Sequence, residues 1–232
     1  MSTRVAPDIL ASIPIFEGLC GEQLARLSGQ LRGCAYPAGA TVFSMEQPGE
    51  AAYVILDGTV KIRLEQHDGT ELLLGIMRAG EIVGEMSLID DLGRSASVVT
   101  MEDSYLAAMP RSIFWECLRT MPGMTFNLVG ILSRRLRLAN AQVQSLADQD
   151  VSGRVARQLL ALAEEFGEAD PAGGVRIPIR LTQSDIAALV SASRVRVNQV
   201  LVEHRRLGLL SVDDQHRITI RDRARLAEQC PP

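Results

Sequence analysis

A chain of 232 residues is long enough for one or two domains with buried cores. With 47% apolar and 22% charged residues it is neither a disordered polyelectrolyte nor a membrane protein. Its longest uncharged stretch, Thr120 to Ser133, holds 14 residues and is broken by Pro122 and Gly123, short of the roughly 18 that a span requires. Pro7, Asp8 and Glu17 interrupt any N-terminal apolar region, so no cleaved secretory signal and a cytoplasmic location are expected. Cys20, Cys34, Cys117 and Cys230 are too scattered for a disulfide framework or a zinc or iron–sulfur site, and His67, His204 and His216 have no ligand spacing, so no metal site is expected. The net charge of −4 is unevenly divided: residues 1–130 carry 9 Lys+Arg against 16 Asp+Glu, and residues 131–232 carry 15 against 12. The basic half points weakly to nucleic acid, through local contact and not general coating.

In chain order, a helical segment is predicted over about Asp8 to Leu31. It is followed by short β-rich runs at Thr41–Phe43, Ala52–Leu56, Thr59–Glu65, Glu71–Met77, Ser97–Thr100 and Ser104–Met109. Asp57-Gly58 and Asp68-Gly69 are dipeptides that close tight hairpins, and many short strands of this kind make a barrel or sandwich. Pro110 and Pro122 bracket a short helix, and residues 124–147 then read as one long helix. Its apolar residues Val129, Leu132, Leu136, Ala139, Val143 and Leu146 are spaced 3, 4, 3, 4 and 3 apart, the stripe of a coiled coil. Leu128, Ile131 and Leu138 form a second stripe that would pack on the β domain. A single-sided core helix is the plainer reading, but two apolar faces favour a parallel dimer seam.

Ser152 and Gly153 mark a break, and a helix is predicted from about Arg154 to Phe166, then a loop from Gly167 to Gly174 and an extended run from Val175 to Arg180. Thr182, with Asp185 three residues on, caps a helix carrying Ile186, Ala187, Leu189 and Val190. Ser191-Ala192 form a turn, Ser193 caps a second helix from Arg194 to Leu207, and a hairpin over Leu209–Val212 and Arg217–Ile220 completes a winged helix-turn-helix. Three domains result: a β domain (1–121), a long dimerisation helix and hinge (122–149) and a winged helix-turn-helix (150–232), in an α+β chain.

In such a unit the start of the second helix enters the major groove, where Arg reads guanine and Gln reads adenine. Arg194, Arg196, Asn198 and Gln199 are the candidates, against the plain reading of a solvated helix face. Thr182, Gln183 and Ser193 are candidate phosphate contacts. In the β half, the segment from Gly84 to Ser97 places Glu85 and Arg94 nine residues apart. From composition alone a structural Glu85–Arg94 ion pair comes first and a site for a ribose and a phosphate second.

The Gly84-Glu85-Met86-Ser87-Leu88 to Arg94-Ser95-Ala96 segment resembles the phosphate-binding cassette of cyclic-nucleotide-binding domains. With Gly49-Glu50, Gly58, Gly80-Glu81, Arg134-Arg135-Leu136, Asp150 to Arg154, and Thr182 to Ile186 before Ser193-Arg194, the chain from about Ile13 to Ile220 resembles the cyclic-AMP receptor protein and fumarate–nitrate regulator superfamily of bacterial transcription factors. The resemblance implies an N-terminal jelly-roll (β-roll) sensor, a long dimerisation helix and a C-terminal winged helix-turn-helix. It implies that Glu85 holds the ribose 2′-hydroxyl, Arg94 and Ser95 the cyclic phosphate, and Gly84 and Met86 backbone contacts, with Ser87 and Arg135 in the effector set. The base would meet the long helix. There Ala139 and Asn140 stand where cyclic-AMP-responsive members show Thr and a small polar residue, and Gly75 replaces a hydroxyl. Asn140 could serve the base from the opposite subunit. In the DNA reader, Arg194 matches the family's first arginine, while Val195 stands for its glutamate and Gln199 for its second arginine, which implies a shifted half-site.

The expected function is a homodimeric DNA-binding regulator gated by a cyclic nucleotide, cyclic AMP before cyclic GMP or another. The alternative is a nucleotide-independent dimer. No cofactor is required, no nucleophile with its base suggests an enzyme, Cys20 alone suggests no iron–sulfur or haem sensor, and RNA polymerase is a further expected partner, through a surface such as the loop Gly167 to Gly174.

Overall fold

The computed structural model describes residues 4–65 and 70–230 and divides into two compact units, Met1–Arg137 and Leu138–Pro232. The first opens with helix α1 (Pro7–Ala11), a 3₁₀ turn (Pro14–Phe16) and helix α2 (Gly21–Gln30). The single helical segment predicted over Asp8–Leu31 is thus three pieces, because Pro14 cannot continue a helix begun at Pro7 and Cys20 starts a new one. Strands follow as β1 (Arg32–Tyr36), β2 (Thr41–Phe43), β3 (Ala51–Asp57), β4 (Thr59–Glu65), β5 (Glu71–Arg78) and β6 (Ile82–Val83). Helix α3 (Met86–Ile89), β7 (Ser97–Thr100), β8 (Ser104–Pro110), α4 (Arg111–Thr120) and the long α5 (Pro122–Asp148) complete this part of the chain.

The eight strands form two antiparallel sheets, ordered β1-β8-β3-β6 and β2-β7-β4-β5. Phe43, Ile55, Val60, Val83, Val98 and Leu106 fill the space between them. The first sheet is buried on both faces. Alternate residues Ala52 and Val54 of β3, and Ala107 and Met109 of β8, point away from the roll into a second cluster with Leu10, Phe16, Leu27, Phe114 and Leu128 from the helices. Two-sided burial explains the continuous apolar run Ala51–Leu56, which an alternating half-exposed strand would not show.

Asp57-Gly58 does not close a hairpin. Because β3 and β4 belong to different sheets, Gly58 is the corner at which the chain changes sheet. Its φ is +86°, and a Cβ there would lie 2.3 Å from the Ser104 hydroxyl oxygen, so the corner accepts only glycine. β4 and β5 pair antiparallel with Glu65 opposite Glu71, while the predicted Asp68-Gly69 turn and His67 lie outside the described residues.

The second unit contains helix α6 (Val151–Phe166), β9 (Glu168–Ala169), β10 (Val175–Ile177), α7 (Gln183–Leu189), α8 (Arg194–Arg206), β11 (Leu210–Val212), β12 (Ile218–Ile220) and α9 (Arg223–Ala227). The strands form one sheet in the order β11-β12-β10-β9, so the predicted Gly167–Gly174 loop carries a short edge strand. Val155, Leu159 and Leu162 of α6, Ile186 and Leu189 of α7, Val197 and Leu201 of α8, and Ile218 and Ile220 are among its buried residues. Ser191, with φ +50°, makes the tight turn between α7 and α8, and Gly208, with φ +72°, ends α8.

Candidate functional site: an anion cradle and a helix-turn-helix reader

The cradle is built by a chain reversal. β6 is followed directly by Gly84, whose φ is +78°; Glu85 caps the one-turn helix α3; and Asp91 and Gly93, both at positive φ, swing the chain back so that Arg94 meets the residues it left. Arg94 is only 6% exposed. Its Nη1 donates to the Gly84 carbonyl at 2.8 Å and to the Ser87 hydroxyl at 3.0 Å, its Nη2 donates to the Ala51 carbonyl at 2.7 Å, and its guanidinium lies 4.0 Å over the Phe43 ring. All these partners are neutral, and among the described residues no carboxylate forms an ion pair with it. Its Nε–H has no partner. Burial lowers its pKa from the ordinary arginine value, against the opposing fields of Tyr53, Glu85 and Glu50, yet a guanidinium stays charged. A buried cation tied down by dipoles alone is suited to a ligand that supplies the anion.

Glu85 does not pair with Arg94, as composition alone had favoured. Its carboxylate, 2% exposed, accepts from Arg135 Nη1 of α5 at 2.8 Å. Arg135 also donates to the Ile82 carbonyl at 2.6 Å. The structure therefore brings Gly84, Glu85, Ser87, Arg94 and Arg135 together, with the acid neutralised from α5 and the arginine left for another partner. Ser95 and Met86 are exposed beside them, the Ser95 hydroxyl 3.8 Å from the Met86 sulfur. Asn140 is exposed and lies in the second unit's part of α5.

Most seam residues of α5 face solvent, Val129 being 59% exposed, Leu136 62% and Val143 67%, but Leu132, assigned to the seam, is half-buried and packs with Leu128 and Ile131 against the first unit's core. Leu138, assigned to the packed stripe, is instead 56% exposed; it lies beyond Arg137, where the first unit ends. Phe126, 77% exposed, was missed because it falls outside the 3,4 spacing. An apolar ring one turn before Val129 was the available signal.

In the second unit, Thr182 and Asp185 form a complete capping box. The Thr182 hydroxyl donates to Asp185 Oδ2 at 2.6 Å and accepts from the Asp185 amide at 3.1 Å, and the Thr182 amide donates to Asp185 Oδ2 at 3.0 Å. Ser193 Oγ accepts from the Arg196 amide at 3.3 Å. Arg194, Val195, Arg196, Asn198 and Gln199 are all exposed on the first turns of α8. Gln183 Nε2 donates to Asn198 Oδ1 at 2.8 Å, linking the starts of α7 and α8, and Arg196 donates to Gln199 Oε1 at 3.2 Å. Val195 is 66% exposed, and Val202, seven residues on and on the same face, is 54% exposed. Val202 went unnoticed because an outward valine has no sequence mark in a helix that also buries valines.

A family profile described as cyclic nucleotide-binding domain matches residues 34–121, and one described as Crp-like helix-turn-helix domain matches residues 153–229. A CRP-like cAMP-activated global transcriptional regulator of Mycobacterium tuberculosis is 37% identical over 96% of this chain and 98% of its own. This chain belongs to the CRP-like family of transcription regulators. A cyclic AMP receptor protein of Thermus thermophilus is 32% identical over 81% of the chain and 83% of its own. The solved structure of the c-di-GMP responsive global regulator CLP of Xanthomonas campestris is 26% identical, covers 88% of this chain and 100% of its own, and superposes with a TM-score of 0.77.

This CRP-like chain thus joins a cyclic nucleotide-binding domain to a DNA-binding helix-turn-helix. Among the described residues there is no cluster of His, Cys, Asp and Glu suited to a metal, and no helix long and apolar enough to cross a membrane.

Proposed function

We propose that this CRP-like chain is a homodimeric, sequence-specific transcription regulator whose DNA binding is gated by a cyclic nucleotide, with cyclic AMP the favoured effector. The observation that carries the reading is Arg94, a buried guanidinium whose partners are all neutral, in the cassette beside Glu85. The effector's phosphate supplies the missing anion at Arg94 and Ser95, and its ribose hydroxyl donates to the Glu85 carboxylate. Because Glu85 is bonded to Arg135, sugar binding bears directly on α5. The exposed seam residues support pairing of two copies through 124–147, and a parallel pair of α5 helices presents two α8 helices to half-sites one DNA turn, about 34 Å, apart. Binding is then differential: the nucleotide favours the arrangement in which both readers fit.

The base is read by Asn140, the polar group that α5 offers where Ala139 has no hydrogen-bonding atom. Val195 meets a thymine methyl, which shifts the half-site from the family's usual one. Titration calorimetry of the purified chain with cyclic AMP and cyclic GMP tests the effector. Micromolar binding that Arg94→Leu abolishes is expected, and absence of heat with both nucleotides favours a ligand-independent dimer, which Ala139 and Gly75 would suit. Selection of bound sequences from a random DNA pool tests the reader.

A further inference from the structure

Helix α3 has one turn, so its last carbonyls lack the donors that a longer helix supplies. The Leu88 carbonyl would ordinarily accept from the Leu92 amide, but that amide donates instead to Asp90 Oδ1 at 3.1 Å. The replacement comes from α4. The Trp115 indole N–H donates to the Leu88 carbonyl at 3.0 Å, and Arg111 Nη2 reaches the same oxygen at 3.5 Å. Arg111 also forms an ion pair with Asp91. Asp91 is the non-glycine residue at φ +61° that turns the chain back toward Arg94, a conformation that costs about 1–2 kcal/mol unless surroundings hold it. Arg111 and Trp115 are one helical turn apart and so act from the same face of α4. The backbone of Arg111 is itself fixed to the Glu50 carbonyl at 2.8 Å.

We infer that Trp115 and Arg111 are positioning residues for the effector pocket, holding Leu88 and Asp91 from behind so that Ser87 and Arg94 keep their geometry. The inference deepens the effector reading given above and rests on it for its functional meaning. Leu88 directly follows Ser87, whose hydroxyl accepts from Arg94, and Asp91 lies three residues before Arg94. A shift of α3 therefore moves both ends of the Arg94–Ser87 bond. α4 leads through the buried Met121 into α5, and the Thr125 hydroxyl of α5 donates to the Leu118 carbonyl of α4 at 2.8 Å. The same helix that braces the cassette is thereby fixed to the start of the long helix, a route separate from the Glu85–Arg135 pair.

The test compares Trp115→Phe, which keeps an aromatic ring and removes the N–H, with Trp115→Leu, which removes both, in the full chain. Amide hydrogen exchange over residues 84–95 and the dissociation constant for cyclic AMP are the two readouts. Loss of the indole N–H leaves the Leu88 carbonyl with only the long 3.5 Å contact from Arg111, so Trp115→Phe speeds exchange at residues 86–93 about tenfold or more and weakens cyclic AMP binding about fivefold or more. Asp91→Asn, which removes the ion pair, acts in the same direction. Wild-type exchange and affinity in Trp115→Phe, with a defect only in Trp115→Leu, would show that the ring merely packs and overturn the inference. If the wild-type chain takes up no cyclic nucleotide, the effector reading fails, and the exchange data alone decide whether α4 holds the cassette.

Discussion

Gly84→Ala is the sharpest single test of how the cassette is built. At φ +78° an alanine pays a left-handed conformational penalty of about 1–2 kcal/mol. Its Cβ would also lie 2.5 Å from Arg94 Nη1 and 3.1 Å from two atoms of the Phe43 ring. Nη1 must move, and with it go the bonds to the Gly84 carbonyl and the Ser87 hydroxyl; losing one hydrogen bond to a charged group costs about 1.5–3 kcal/mol. The combined loss is about 2.5–5 kcal/mol, a large part of an ordinary domain's stability. Trp115 is the chain's single tryptophan and lies in the first unit, so its fluorescence during urea unfolding reports that unit alone. With a slope of about 1–3 kcal/mol per molar urea, the midpoint falls by about 1 M or more. On the proposed effector reading, cyclic AMP binding is lost as well. A midpoint within about 0.2 M of wild type, together with unchanged nucleotide affinity, would refute the account of Gly84 and of Arg94's placement.

Three further outcomes are expected. Thr182→Ala removes one half of the capping box and destabilises the second unit by about 0.5–2 kcal/mol, read from its thermal transition, whereas Thr182→Ser retains most of it. Val143→Glu or Leu136→Glu places charges in the exposed seam of α5, so sedimentation shifts from dimer to monomer; a dimer unchanged by either would place the interface elsewhere. His204 is buried, with Nε2 3.2 Å from the Ser152 hydroxyl and Nδ1 without a partner, and burial lowers its pKa below the ordinary histidine value. The folded state then binds fewer protons than the unfolded chain, so stability is retained above the unfolded pKa of about 6.5 and lost as pH falls below it. NMR titration, assigned with His204→Gln, shows its ring protonating at lower pH than a free histidine, and a normal value would contradict its burial.

Local signals carried much of this fold. Thr41–Phe43, Thr59–Glu65 and Ser97–Thr100 coincide with strands because β-branched residues lie between turn formers there. Thr182 and Ser193 cap their helices through contacts three residues away, which spacing alone can express. What stayed hidden depends on distant partners. β1, with sequence Arg-Gly-Cys-Ala-Tyr, has little strand character and exists because it pairs with β8. β6 and β9, of two residues each, are defined only by their neighbours. Gly58 was recognisable as a turn, but whether it joins two strands of one sheet or changes sheets is a property of the whole roll. In the site, the identity of Glu85, Ser87 and Arg94 was legible, and the pairing was not. Arg135, 50 residues away, reaches Glu85 only because Leu128 and Ile131 seat α5 on the first unit.

If the effector's anion is taken up at Arg94 as proposed, the neutral surroundings of that guanidinium also tie ligand binding to the lifetime of the protein. An anion that neutralises this guanidinium binds the folded first unit and has no assembled site in the unfolded chain, where the arginine is fully hydrated. Occupancy therefore adds directly to folding stability, by about 2.7 kcal/mol when ligand exceeds its dissociation constant a hundredfold. A gain of that size lowers the fraction of opened molecules available to proteases by about a hundredfold. The concentration of effector would then set how much regulator persists in the cell as well as how much of it is active.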